Sequence, residues 1–272
     1  MQTHSSSVVA VKAARALAEL LDREFATVEE YTRTVERNGS ALRRANPSHA
    51  SLQNVMHEIV GVVADAEFDD VDAAKAATRA AIDDAVERVE NGKRRAAAEA
   101  ADWIDDGATL LIHDYSSTVL QAIEEATLNG AYLECYVTEA RPRYLGRKTA
   151  RRLAEMDRVD VHLTTDGACG HFLPECDAVV IGMDCIVEET LYNRVGTFPI
   201  AATAEKTDVP VVVVGSSSKV VDGGFVFEND FRSPSEVLRE PVEDIAIENP
   251  AYDATPTDLV DLVITDEGQR AP

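Results

Sequence analysis

From residue 107 onward, short apolar runs rich in β-branched residues alternate with stretches of helical periodicity, and that alternation leaves few folds open. The runs fall at 108–112, 132–137, 159–163, 178–181, 209–214 and 262–264. Helical stretches fall between them at 118–128, 147–155 and 196–206. Continuous apolar strands separated by helices predict a parallel sheet covered on both faces. Residues 1–106 read instead as helix throughout. Val8, Val11, Ala14, Leu17 and Leu21 share one helical face behind Ser5, Ser6 and Ser7 as candidate caps. Thr27 and Glu30 have the spacing of a capping box. A break at Asn46, Pro47 and Ser48 precedes Leu52, Val55, Met56, Ile59 and Val63 at helical spacing. A long Ala-, Glu- and Arg-rich helix is expected from Asp72 to Trp103, with Asn91 and Gly92 as a candidate interruption. The expectation is an α/β protein: a helical N-terminal domain over residues 1–106, then a Rossmann-like parallel-sheet domain over 107–272.

An open parallel sheet binds ligands beyond the carboxyl ends of its strands. In this sequence the segments after five successive strands hold the unusual residues: HDYSS (113–117), TEARPRYLGRKTA (138–150), TTDGACGH (164–171), GMDCIVEETLYNR (182–194) and GSSSK (215–219). If the sheet forms, all five converge on one edge. Ser116 and Ser117 open a predicted helix, whose free N–H groups favour an anion. Arg141, Arg147, Arg194 and Lys219 add positive charge there, and Arg can hold phosphate through two parallel hydrogen bonds. Asp184 ends a buried apolar run; it either caps a turn or acts as a general acid or base. Arg141 either pairs with Glu139 or Asp166 or faces a ligand. These residues point to a phosphate-bearing small molecule.

Composition narrows the partners. The 272-residue chain has a formal net charge of −23, and of its 26 basic residues only 6 are Lys. Such a surface repels nucleic acid, so direct nucleic-acid binding is not expected. Adaptation to a high-salt cytoplasm explains the charge better than a single basic partner does. No apolar run reaches the roughly 18 residues of a membrane span, and the N-terminus reads as an amphipathic helix, not a signal peptide. No membrane association is expected, and a cytoplasmic location is. Four cysteines, Cys135, Cys169, Cys176 and Cys185, form no C-x-x-C pair. Cys169, His171 and Cys176 lack a fourth partner at a zinc spacing, so neither metal nor cofactor is expected.

Three segments carry a family resemblance: TEARPRYLGRKTA (138–150), GMDCI with YNRVGT (182–186 and 192–197), and NPAYDATPTDLVDLVITDEG (249–268). They resemble the initiation factor 2B α/β/δ family, and the acidic composition suits a haloarchaeal-type member. The family contains regulatory subunits of the exchange factor for initiation factor 2. It also contains isomerases of methylthioribose 1-phosphate and ribose 1,5-bisphosphate. The resemblance implies a NagB/RpiA/CoA-transferase-like Rossmann domain and a homo-oligomer built from dimers. It implies that Asp184 matches the isomerases' catalytic Asp, that Asn193 and Arg194 match an Asn-Lys pair near substrate, that Arg141 matches the Arg of an E-T-R-P motif, and that Lys219 matches a pocket lysine.

Departures decide the expected function. Where the isomerases have His-Cys-Asn after the first strand, this chain has His113, Asp114 and Tyr115, so Asp114 stands at the catalytic thiol position. The H-x-Y-S pattern of the regulatory subunits fits His113 to Ser116 better. An N-terminal Arg that helps the isomerases grip phosphate aligns with His4, Ser5 and Ser6 here. Cys169 and Cys185 are either small buried residues or substitutes for the missing thiol. The expectation is therefore an initiation-factor-2B-like protein that binds a sugar phosphate or nucleotide without isomerase activity, with initiation factor 2 as a candidate partner. The alternative is an aldose–ketose isomerase in which Asp184 and Asp114 move the protons.

Overall fold

The structure, a computed structural model, describes residues 6–45, 47, 49–221, 225–240 and 243–272. Its contacts separate two compact units, one of residues 1–92 with 218–228 and one of residues 93–217 with 229–272.

The first unit is helical. It contains α1 (Ser6–Ala18), α2 (Val28–Ala45), α3 (Ala50–Ala64) and the first part of α4 (Val71–Trp103). Helical periodicity placed Leu52, Val55, Met56, Ile59 and Val63 on one face, and all five are buried with Leu17, Tyr31 and Val35. The Tyr31 hydroxyl reaches the Thr78 hydroxyl at 2.8 Å, which satisfies the polar end of a fully buried ring. The capping box forms at the start of α2: Thr27 Oγ1 accepts from the Glu30 N–H, and Glu30 Oε2 accepts from the Ala26 N–H. Such a cap contributes about 1 kcal/mol. Ser218 and Val220 are tied to this unit through Asn54, whose side-chain amide donates to their carbonyls. His4, Ser5, Asn46 and Ser48 lie outside the described residues, and Ser6 begins α1.

The expected interruption at Asn91 and Gly92 does not occur, since α4 runs unbroken to Trp103. An isolated helical Gly costs only about 1 kcal/mol, and the Ala-rich flanks outweigh it. Helix gives way to sheet between Trp103 and Thr109, and the compact units part at residue 92. The reason is packing: Ala97, Ala100, Ala101 and Ile104 are buried in the core of the sheet-containing unit.

The second unit alternates β1 (Thr109–Ile112), α5 (Ser117–Leu128), β2 (Leu133–Thr138), α6 (Gly146–Leu153), β3 (Val159–Thr164), α7 (Cys169–Phe172) and β4 (Ala178–Gly182). Next come β5 (Cys185–Val187), β6 (Thr190–Arg194), α8 (Thr197–Thr207) and β7 (Val211–Val214). A short β8 (Val220–Val221) lies in the segment that joins the helical unit. The chain ends in β9 (Tyr252–Pro256), β10 (Leu262–Thr265) and β11 (Gly268–Arg270). All six predicted strands form one sheet in the order β3-β2-β1-β4-β7-β10, mutually parallel, with β11 added antiparallel at the far edge. Central β4 is buried at every position, as its unbroken apolar run requires.

The segment 182–194 is not a loop, as its position after a strand suggested. It forms the hairpin β5–β6, and β9 pairs with β6 on its other side, all antiparallel. This small second sheet stands at the carboxyl end of β4 and delivers side chains back over it. No described helix is long and apolar enough to cross a membrane.

Candidate active site

The strand order reverses at β1. From β1 the chain steps outward through β2 and β3, then returns to place β4 on the other side of β1. This switch point opens a crevice at the carboxyl ends of β1 and β4. Two residues past the end of each strand stands an aspartate, Asp114 after Ile112 and Asp184 after Gly182. Gly182 permits the close approach here, because a Cβ on it would come within 2.5 Å of Ser116 Oγ.

Arg194, the last residue of β6, reaches into this crevice. Its Nε lies 3.6 Å from Asp114 Oδ2 and 3.5 Å from Asp184 Oδ2. Its guanidinium covers the Tyr252 ring at 4.7 Å. Burial works against its charge, but Asp184, Tyr252 and Asp114 overcome that, so its pKa moves further up. Arg194 is therefore a fixed cation. Its Nη1 is buried without a hydrogen-bond partner.

Asp114 is buried and adopts a left-handed backbone with φ 59°. Its carbonyl accepts from the Thr149 hydroxyl at 2.6 Å, which anchors this turn to α6. Burial pushes its carboxyl above the usual carboxylate range, against the pull of Arg194. A carboxyl that retains its proton longer than usual, beside a second carboxylate, is an arrangement suited to moving protons.

His113 is held on both sides. Its Nε2 lies 2.9 Å from the Val195 carbonyl, which can only accept, so Nε2 carries the hydrogen. In the neutral ring Nδ1 then accepts from the Thr138 hydroxyl at 2.6 Å. Gly196, at φ 109°, packs directly on this ring, and a Cβ there would sit 2.5 Å from it. Both nitrogens of His113 are thus used to join the ends of β1, β2 and β6.

Other sequence candidates separate in the same way. Ser116 Oγ accepts from the Val119 N–H and caps α5, while Ser117 is the first residue of that helix. Asn193 is buried and donates to Thr197 Oγ1 at 3.0 Å. Neighbouring strand residues face opposite ways, so Asn193 and Arg194 reach different partners from β6. Lys219 lies in the segment grouped with the helical unit. Arg147 pairs with Glu139 at 2.6 Å. Arg141 does line the crevice. Its backbone N–H and that of Ala140 donate to Asp166, so the segment after β3 supports the one after β2. Its guanidinium bonds the Tyr144 hydroxyl and the Val237 carbonyl.

All four cysteines are buried. Burial pushes Cys135 and Cys176 up to about 12 and raises Cys169 as well. Among the described residues, no three His, Cys, Asp or Glu are grouped to hold a metal ion.

Two arginines at the site were not anticipated. Arg143 and Arg232 join Arg141, Arg194 and Asp114 around a narrow cavity of about 20 Å³. Arg143 had a signal, since it sits in the same segment as Arg141. Arg232 had none, because it arrives from an irregular segment.

Fold and site together define an α/β protein with a Rossmann strand order and an arginine-lined, carboxylate-containing crevice at its switch point. The model of the initiation factor 2 subunit family matches residues 2–272, and the chain belongs to that family. It is 28% identical over 281 residues to the ribose 1,5-bisphosphate isomerase of Haloferax volcanii, covering 100% of this chain and 86% of that protein. It is 32% identical over 282 residues to the ribose 1,5-bisphosphate isomerase of Methanocaldococcus jannaschii, covering 100% of this chain and 88% of that one. Among solved structures, the translation initiation factor eIF-2B of Pyrococcus horikoshii OT3 superposes with a TM-score of 0.80 at 24% identity, over 100% of this chain and 93% of that chain.

Proposed function

We propose that this protein binds a ribose phosphate in the switch-point crevice and interconverts its aldose and ketose forms. The observation that carries the reading is the pair Asp114 and Asp184 on a single guanidinium, at 3.6 and 3.5 Å from Arg194 Nε. Aldose–ketose isomerisation removes a proton from C2 and returns one to C1, so substrate and product have the same atoms and no redox cofactor is consumed. Such a reaction needs one group to take a proton and another to give one. In this reading Asp184 takes the C2 proton, and Asp114, whose burial favours its protonated form, supplies the other. Arg194 stabilises the negative charge that develops on the substrate oxygen. The names and extent of the isomerase relatives support this reading over the initially expected non-catalytic one. A homo-oligomer built from dimers in the cytoplasm belongs to it.

One observation favours a second reading. Asp114 stands where the isomerase branch has a thiol, and a site without that thiol suits a subunit that binds a sugar phosphate or nucleotide as an effector. In that reading initiation factor 2 is a candidate partner. The test is incubation of the protein with ribose 1,5-bisphosphate in molar KCl, with the ketose carbonyl followed by ¹³C NMR. Ketose formation that disappears in Asp184→Asn is expected. Binding without turnover selects the effector reading, and absence of both overturns the two together.

A further inference from the structure

The arginines that the proton chemistry leaves unused are Arg143 and Arg232. In a chain with 49 acidic and 26 basic residues, they meet Arg141 and Arg194 around one cavity whose lining includes a single carboxylate, Asp114. Arg143 is pulled below its usual range first by burial and then by the nearby charges of Arg232 and Arg194. Arg232 Nε is buried without a hydrogen-bond partner, and its Nη2 lies 3.8 Å from Asp230. Like charges crowded together with an unused buried donor mark a place where an anion belongs.

An internal carboxylate already approaches it. Glu236 Oε1 lies 3.9 Å from Arg143 Nε, and Asn249 steadies the other Glu236 oxygen through an amide donor at 3.2 Å. Arg141 holds the neighbouring Val237 carbonyl at 3.3 Å. The segment 235–240 thereby lines a wider cleft of about 550 Å³ together with Arg141 and Arg143. The two cavities share those two arginines.

We infer that Arg143 and Arg232 form a phosphate subsite beside the Asp114–Asp184 pair, and that Glu236 occupies its entrance until a phosphate dianion displaces it. The inference deepens the sugar-phosphate reading and rests on it for the identity of the ligand. It assigns the subsite to a phosphomonoester remote from the reacting carbons, so a bisphosphorylated sugar is preferred to a monophosphorylated one.

The experiment is titration calorimetry with inorganic phosphate at fixed KCl on the wild-type protein and on Arg143→Gln, Arg232→Gln and Glu236→Gln, each checked for native circular dichroism. Loss of either arginine is expected to weaken phosphate about tenfold or more. Glu236→Gln is expected to tighten it several-fold, an outcome that damage to the fold does not produce. Unchanged binding in both arginine variants, or no tightening in Glu236→Gln, overturns the subsite. The same proteins are then given ribose 1,5-bisphosphate. Turnover with unchanged KM in both arginine variants sinks the subsite and leaves the isomerase reading intact. Arginine-dependent phosphate binding with no turnover of the bisphosphate sinks the isomerase reading and leaves the subsite.

Discussion

Asp114 and Asp184 come from different strands yet share one cation, their Oδ2 atoms lying 3.6 and 3.5 Å from the same Arg194 Nε. One guanidinium cannot fully compensate two carboxylates, and Asp114 is the more buried of the two. Its carboxyl is accordingly raised by burial, above the roughly 3.9 of an unfolded chain. The folded state then binds more protons than the unfolded state between those two values. Stability from Asp114 is fully present below the unfolded value and is lost as pH rises through the folded one. Urea midpoints taken from pH 3 to 8 on wild type and Asp114→Asn should show wild type losing stability relative to the variant across that window, then running parallel. A difference that grows in favour of wild type as pH rises would contradict the assignment.

The same pair gives a kinetic expectation. Asp114→Asn keeps the shape of the turn but removes the proton donor, so kcat should fall by about 10²- to 10⁴-fold. Phosphate affinity should move the other way, because one carboxylate competing for Arg194 is gone. Calorimetry with inorganic phosphate reads the second effect without relying on turnover. A variant that loses activity and phosphate binding together would mean Asp114 holds the fold of the site, not its chemistry.

Gly196 is a sharper structural test. It sits at φ 109°, and a Cβ would be driven to 2.5 Å from a His113 ring whose two nitrogens are already bonded to Thr138 and Val195. Gly196→Ala should cost at least about 2 kcal/mol from the backbone conformation and the displaced ring together. Denaturant unfolding measures this. A loss under about 0.5 kcal/mol, the scale of an ordinary surface change, would mean that the β6–α8 corner relaxes freely.

The main sheet was legible because its strands are short apolar runs rich in β-branched residues that alternate with helical stretches. The small antiparallel sheet was not. Its hairpin turns through Glu188 and Glu189, with Glu188 at φ 50°, and lacks the Asn-Gly or Asp-Gly signal of a two-residue turn. Its third strand, Tyr252–Pro256, contains Asp253 and Pro256 and reads as loop. Missing that sheet had a direct effect on the site. Asn193 and Arg194 are neighbours in sequence, and only their place on a strand sends one to Thr197 and the other to the aspartates. Asp114, Asp184 and Arg141 could be found because each follows a recognisable strand, and Arg194 because it lies in the polar segment after β4. Arg232 could not, since no periodicity marks residues 225–240.

Thiol chemistry is the next expectation to test. Cys135 and Cys176 are pushed up to about 12 and Cys169 is raised, all with burial as the leading cause. Few thiolates form at pH 8 and little surface is offered to a reagent. Iodoacetamide should leave the native protein unlabelled by mass spectrometry over an hour, with full labelling after unfolding. Cys169→Ser should retain ligand binding and turnover. Rapid modification of Cys169 accompanied by loss of activity would reinstate a cysteine at the centre of the mechanism.

Salt should act on this protein in two opposite directions. A net charge of −23 repels itself over distances that shrink from a Debye length of about 10 Å at 0.1 M to about 3 Å at 1 M. Exposed pairs such as Arg15–Glu90 at 2.9 Å and Arg33–Glu29 at 2.7 Å lose strength as well, but each contributes at most about 1 kcal/mol. The melting temperature should therefore rise steadily from 0.1 to 3 M KCl. Phosphate binding at the arginine cluster is an attraction between opposite charges, so its affinity should fall over the same range, while the crevice's depth keeps part of it unscreened. Thermal melts and phosphate titrations on one salt series test both slopes. A melting temperature that falls with KCl would remove the high-salt explanation of the acidic surface. An affinity insensitive to KCl would mean that phosphate is held by neutral donors and not by Arg143 and Arg232.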